Sequence, residues 1–337
     1  MIVAPAAMRS GFRILDVGPE GSSRRRMMPV QIYLPIADLP VNVFVVFAMG
    51  LAVGFISGMF GIGGGFLMTP LLIFLGVPPA VSVATVSSHI AASSFSGAIS
   101  YWRRRAVDLS LAAMLLLGGF VGTAAGVALF TYLRALGQLD LTISLSYVIL
   151  LGSVGSLMVA EAVRAIMRGR SGKPVDLRRP GSHTWMHGLP LKLRFKQSRI
   201  YVSTIPVWTI GFLMGFIGAI MGIGGGFLLV PMLIYFLRVP TNVVIGTSML
   251  LTLVTMATAT VLHSITNHLV DAILAVILMV GGVSGAQFGA RAGQRMRGER
   301  LRLLLGLLVL AVGIRFAVDL VLPPDDMYSI RMLEGPQ

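Results

Sequence analysis

Apolar residues along this chain come in blocks rather than in alternation with polar ones. The blocks lie at roughly 41–59, 61–77, 80–101, 109–133 and 142–163, then at 204–221, 222–238, 241–263, 270–290 and 301–322. Most approach the ~20 residues that a helix needs to cross a bilayer. Hydrocarbon offers backbone groups no water, and the runs are continuous, so they predict spanning helices rather than barrel strands. The fold class expected is an all-α integral membrane protein. Only between the fifth and sixth blocks does the period change: Leu191 to Phe195 and Ile200 to Val202 alternate as strands do, which predicts a small β-hairpin.

The blocks fall into two similar sets. GFISGMFGIGGGF at Gly54 to Phe66 returns as GFIGAIMGIGGGF at Gly215 to Phe227. The match runs on through Pro70 and Pro231, Val77-Pro78 and Val239-Pro240, and Thr85 and Thr247. It resumes at Val107-Asp108 and Val270-Asp271, and at GGFVGTAAG (118–126) against GGVSGAQFG (281–289). Five segments per half is an odd number, so the second half would enter the membrane from the opposite side, an inverted repeat.

Charge agrees with that inversion. Arg103, Arg104 and Arg105 follow the third segment of the first half, whereas Thr266, Asn267 and His268 stand at the matching place in the second. The following loops reverse the pattern, with Arg134 alone in one and Arg291, Arg295, Arg297 and Arg300 in the other. Between 164 and 199 there are ten Lys or Arg and one Asp, which marks that linker as cytoplasmic. The expected organisation is an N-terminal tail (1–40), a first membrane repeat (41–163), a basic linker (164–203), a second repeat (204–322) and a C-terminal tail (323–337). The first 26 residues read as a disordered tail, with Met27 or Met28 as an alternative start.

The net charge of +14 lies in short clusters beside apolar runs, where it sets topology; nucleic-acid binding is not expected. Cysteine is absent, which removes disulfides, thiolate metal sites and a cysteine nucleophile. No nucleophile, base and orienting group occur together, so an enzyme is not expected, and neither is a metal or other cofactor.

The chemistry concentrates in the glycine phrase. It is not a nucleotide loop, because Phe66 follows Gly61-Ile62-Gly63-Gly64-Gly65 where a phosphate loop would place Lys and Ser or Thr. It could serve close helix packing alone. It could also break the helix, so that a re-entrant or half helix starts near Phe66 with free backbone N–H groups at its positive end. Such an end binds anions without a buried cation. That matters because, between Asp38 and Tyr101, His89 is the one ionisable side chain.

The residues expected to contact an anion are Gly61, Gly63, Gly64 and Gly65 with Gly222, Gly224, Gly225 and Gly226. Side-chain candidates are Thr85, Ser87, Ser88 and His89 in the first half and Thr247 and Ser248 in the second. Thr85 and Thr247 recur in both copies. Membrane hydroxyls commonly bond the preceding turn instead. His89 has Leu251 as its repeat equivalent, so any proton or anion role would be asymmetric. Asp108 and Asp271 begin helices at matching positions, Arg315 and Asp319 are spaced to pair, and Gln287 is a further candidate for lining the path.

The doubled GxGGGF phrase with its following proline, the Ala-Thr-Val and Gly-Thr-Ser elements at 84–86 and 246–248, the GGxxGxxxG runs and the basic central linker together resemble the sulfite exporter TauE/SafE family over 41–322. The resemblance implies a secondary transporter in a bacterial inner membrane that exports sulfite or an organosulfonate. It implies that the paired glycines form the family's sites; Ala84-Thr85-Val86 departs from Gly246-Thr247-Ser248, so the two halves are not equivalent at this element. An anion channel and a non-transporting membrane subunit remain the alternatives. The expected partners are a small anion and the lipid bilayer, with a homodimer left open.

Overall fold

A computed structural model describes residues 31–60, 64–103, 105–170, 192–195, 198, 200–236, 241–293 and 298–321. Each half opens with a β-hairpin. In the first, β1 (Gln31–Leu34) pairs antiparallel with β2 (Leu39–Asn42); in the second, β3 (Lys192–Phe195) pairs with β4 (Ile200–Ser203). The second hairpin is the one the alternation predicts. The first falls in what the sequence presents as a tail, because Pro35 and Pro40 interrupt the strand pattern. Pro40 is tolerated in a two-stranded edge opposite Tyr33. The turn is closed by Asp38, whose backbone is left-handed (φ 54°), whose N–H donates to Leu34 and whose carboxylate accepts from the Tyr33 hydroxyl.

Five helices follow each hairpin. The first set is α1 (Val43–Phe60), α2 (Gly65–Phe74), α3 (Pro79–Arg103), α4 (Leu109–Ala135) and α5 (Leu139–Arg170). The second is α6 (Thr204–Met221), α7 (Gly226–Tyr235), α8 (Thr241–Leu262), α9 (Ala272–Gly293) and α10 (Gly298–Val321). A π-helical turn, His263–Asn267, extends α8. These bounds follow the apolar blocks closely, except that α5 runs through Arg170, into the expected linker. Among the described residues, six helices are long and apolar enough to cross a bilayer: Leu109–Ala135, Leu139–Arg164, Thr204–Met221, Val243–Asn267, Ala272–Gly289 and Leu303–Val321. The chain is a multi-pass, all-α membrane protein.

Packing exchanges partners between the halves. α1 lies along α9, and its counterpart α6 lies along α4. Both pairs are parallel, and both are seams of small residues. Gly54 and Gly58 face Gly282 and Ala286, while Gly118, Gly122 and Gly126 face Trp208, Phe212 and Phe216. A Cβ at Gly54, Gly58, Gly118 or Gly122 would overlap backbone of the opposing helix, so these glycines set the closeness of approach on which van der Waals packing in lipid depends. The GGxxGxxxG runs are these seams.

The remaining large pairs are antiparallel. α3 crosses α8 with Gly97 on Met249 and Gly246 on Tyr101, and α5 lies against α10 with Gly155 on Leu310 and Gly313 on Gly152. Tyr147 and Phe316 stack at 5.3 Å between α5 and α10, and Phe74 of α2 joins them at 4.9 Å. Arg315 and Asp319 form the expected pair at 3.3 Å; both side chains are exposed, so it adds little to stability.

Candidate functional site

α2 and α7 are each ten residues long, about 15 Å and half the thickness of a hydrocarbon core. Both begin at the glycine phrase. Gly64 caps α2 in the left-handed region (φ 59°), and Gly225 caps α7 with φ 45°. Between α6 and α7, Gly222 and Gly224 also have positive φ (64° and 73°). L side chains adopt such angles only at a cost of about 1–2 kcal/mol, which accounts for glycine at the break. Gly61 and Gly63 lie outside the described residues.

The two breaks meet inside the molecule. Phe66 and Phe227, each the second residue of its short helix, stack with centroids 4.6 Å apart at 13°. Ile90 of α3 packs against both Gly65 and Gly224, and Gly65 lies beside the Gly222 carbonyl. The starts of α2 and α7 are therefore neighbours; the N–H groups of Leu67, Gly226 and Leu228 turn back to the Gly64, Gly224 and Gly225 carbonyls, and those of Gly65, Phe66 and Phe227 have no i−4 acceptor within their own helix. Two positive helix ends share one buried region.

Most of the candidate side chains are already engaged. Ser87 donates to the Val83 carbonyl at 2.9 Å, Ser88 to Thr85 at 2.6 Å and Ser248 to Ile245 at 2.9 Å, each bonding its own helix one turn back. Thr85 accepts from the Asp271 N–H at 3.1 Å, and Thr247 accepts from the Asp108 N–H at 3.3 Å. These threonines stand at opposite ends of the α3–α8 pair rather than side by side. His89 differs. Its ring rests on Gly282 of α9, its Nδ1 donates to the Leu278 carbonyl at 2.8 Å, and its buried Nε2 has no partner among the described residues.

Two more buried hydroxyls among the described residues lack a partner, Ser94 on α3 and Thr123 on α4. Neither stands out in the sequence, because one is a serine among several in α3 and the other interrupts a glycine run. Thr123 faces Gly215 of α6. Gln287 lies on α9 beside Ala286, the residue that meets Gly58 of the α1 seam.

The second break is tied down by side chains from three other helices. Tyr147 of α5 donates to the Met221 carbonyl at 2.5 Å, and Thr69 of α2 donates to Gly222 at 3.3 Å. Thr252 of α8 donates to Gly224 at 2.9 Å, and His263 bonds Ala219 at 3.1 Å through Nε2. These donors satisfy carbonyls that the end of α6 would otherwise leave bare in an apolar setting. The positions matching Thr69 and Thr252 in the other copy are Val230 and Ile90, so the device is not duplicated. That contrast between LMTP and LLVP was the available sequence signal.

Half-length helices that start at glycine breaks inside a multi-pass bundle are a recurring feature of secondary-transporter folds. The family model described as "Sulfite exporter TauE/SafE" matches residues 46–316. A "Probable membrane transporter protein" of Xylella fastidiosa (strain 9a5c) is 32% identical over 283 residues, 81% of this chain and 94% of that protein. The "Probable membrane transporter protein YunE" of Bacillus subtilis is 24% identical over 79% of this chain and 93% of its own length. "Sulfite exporter TauE/SafE family protein 1" of Arabidopsis thaliana is 39% identical over 79 residues, 23% of this chain and 18% of that protein. No solved structure matches the chain. The chain belongs to the TauE/SafE family, and it is a membrane transporter.

Proposed function

We propose that this chain is a secondary transporter that exports a small sulfur oxyanion, sulfite or an organosulfonate, across a bacterial inner membrane. The observation that carries the reading is the stack of Phe66 on Phe227, which brings the N-termini of α2 and α7 together. Two facing helix ends hold an anion by backbone N–H groups and dipole alone, reversibly and without a buried counter-ion. A fixed Lys or Arg at that depth would be costly and would hold the anion too firmly to release it.

The antiparallel crossing of α3 with α8, and of α5 with α10, supports two halves inverted across the membrane plane. Counterpart helices would pair in parallel if the halves shared one orientation. On this reading the basic linker faces the cytoplasm. Outward movement of an anion is favoured by an inside-negative potential, by about 2.3 kcal/mol per charge at 100 mV, so no enzymatic step or cofactor is needed.

His89 supplies a proton site beside the first half. With Nδ1–H committed to Leu278, Nε2 is the acceptor nitrogen, and an anion meets a lone pair there unless the ring takes up a proton at Nε2. Anion occupancy near His89 is thereby linked to protonation. Flux into proteoliposomes tests the reading. Saturating flux with counter-transport of labelled sulfite supports a carrier, linear flux without counter-transport identifies a channel, and no flux of any anion leaves a non-transporting subunit.

A further inference from the structure

Asp108 and Asp271 do more than cap helices. At the start of α4, Asp108 Oδ1 accepts from the N–H groups of Ser110 and Leu111, at 3.1 and 3.2 Å. Its other oxygen reaches out of the helix and accepts from both the N–H and the hydroxyl of Ser198, at 2.9 and 2.8 Å, where Ser198 lies between β3 and β4. At the start of α9 the arrangement repeats. Asp271 Oδ1 accepts from Ile273 and Leu274 at 3.1 and 3.0 Å, and Oδ2 accepts from the Ile36 N–H at 3.1 Å, in the turn between β1 and β2.

Each aspartate also donates its own N–H to a threonine of the central pair, Asp108 to Thr247 and Asp271 to Thr85. Three elements thus converge on each carboxylate: a hairpin, the start of a seam helix, and α3 or α8. Both side chains are buried, with 3% and 0% exposure, so their bonds compete little with water. One latch grips α3 at Thr85. The other grips α8 at Thr247, whose neighbour Gly246 packs on Tyr101 of α3. From Thr85 to Tyr101 along α3 is sixteen residues, or about 24 Å, most of the depth of a hydrocarbon core.

We propose that Asp108 and Asp271 are paired positioning residues for transport: each latches one hairpin over one end of the α3–α8 pair, and access to the central site from that side requires its latch to open. Both latches are made in this structure, which is therefore an occluded state. Opening one while keeping the other gives access from one side at a time. The inference rests on the transporter reading, and its test reads conformation without substrate, so the two fail separately.

The chain has no cysteine, so one introduced thiol reports cleanly. Ser94→Cys places it on α3 between the latches, at a buried residue with 1% exposure. Its labelling by a membrane-impermeant methanethiosulfonate is measured from each side, in right-side-out and inside-out vesicles. Asp108→Asn and Asp271→Asn retain a capping oxygen but turn a donor toward the hairpin N–H, which breaks the latch and keeps the cap. The expected result is a rise of ~10-fold or more in labelling rate, the scale of losing a hydrogen bond to a charged group, from opposite sides for the two variants. Faster labelling from the same side, or no change in either, overturns the proposal. Ser198→Pro, which removes both the N–H and the hydroxyl, and Ile36→Pro, which removes the N–H, leave both aspartates untouched and decide the same question if the aspartate variants do not reach the membrane.

Discussion

The Phe66 and Phe227 rings stack at 4.6 Å, although 161 residues separate them in the chain. Because each is the second residue of a half-length helix, the stack fixes the distance between two helix N-termini. An offset-stacked pair contributes about 0.5–1.5 kcal/mol beyond its buried area. Phe66→Leu and Phe227→Leu are each expected to preserve membrane insertion, measured by yield of monodisperse protein, while raising the half-saturation concentration for anion flux several-fold. Unchanged flux in the double variant would detach the stack from the site.

Gly64 and Gly225 carry positive φ at the two breaks, and a Cβ at Gly64 would press on Ser57. Leucine at both positions costs about 1–2 kcal/mol each in backbone strain and presses on Ser57 and Val53 at one break and on Met214 at the other. The double variant Gly64→Leu with Gly225→Leu is expected to insert and to lose most of its flux. Normal flux from that protein would remove the backbone anion site.

His89 is the side chain through which pH should act. Flux that requires a proton at Nε2 falls as pH rises, and His89→Asn should flatten that dependence. Gly282→Ala offers an independent check, because its Cβ would collide with the His89 ring and displace it. Both variants should alter the pH profile of flux in proteoliposomes. A profile identical to that of the parent protein in both would assign proton coupling elsewhere.

Much of this architecture is legible in the sequence, and the exceptions share a physical cause. Apolar blocks give the ten α-helices of the described residues because lipid leaves the backbone no alternative to internal hydrogen bonding. The glycine phrase gives the breaks at Gly64 and Gly225 because positive φ selects glycine almost alone. The hydroxyls of Ser87, Ser88 and Ser248 stand in the same neighbourhood, yet each bonds its own helix. Repetition singles out Thr85 and Thr247, but composition cannot distinguish a ligand donor from an acceptor of the Asp271 and Asp108 N–H groups. The first hairpin is hidden by its prolines. The seam glycines read equally well as path or packing until Gly54 is seen against Gly282.

Tyr147 and Thr252 hold carbonyls at the second break, and the bonds are buried. Tyr147→Phe and Thr252→Val each leave an acceptor unsatisfied, at a cost of about 1–3 kcal/mol. The thermal midpoint of the detergent-solubilised protein should fall for both. Flux should fall further in Tyr147→Phe than a tyrosine replaced on the exposed face, such as Tyr132→Phe, which should leave both quantities unchanged.

The most direct measurement is flux in proteoliposomes loaded in turn with sulfite, an organosulfonate, sulfate and chloride, at several values of pH and membrane potential. The paired helix ends predict saturable, potential-driven movement of sulfite or the sulfonate, with counter-transport and with little response to chloride. Equal, non-saturating movement of all four anions, or none of any, would contradict it.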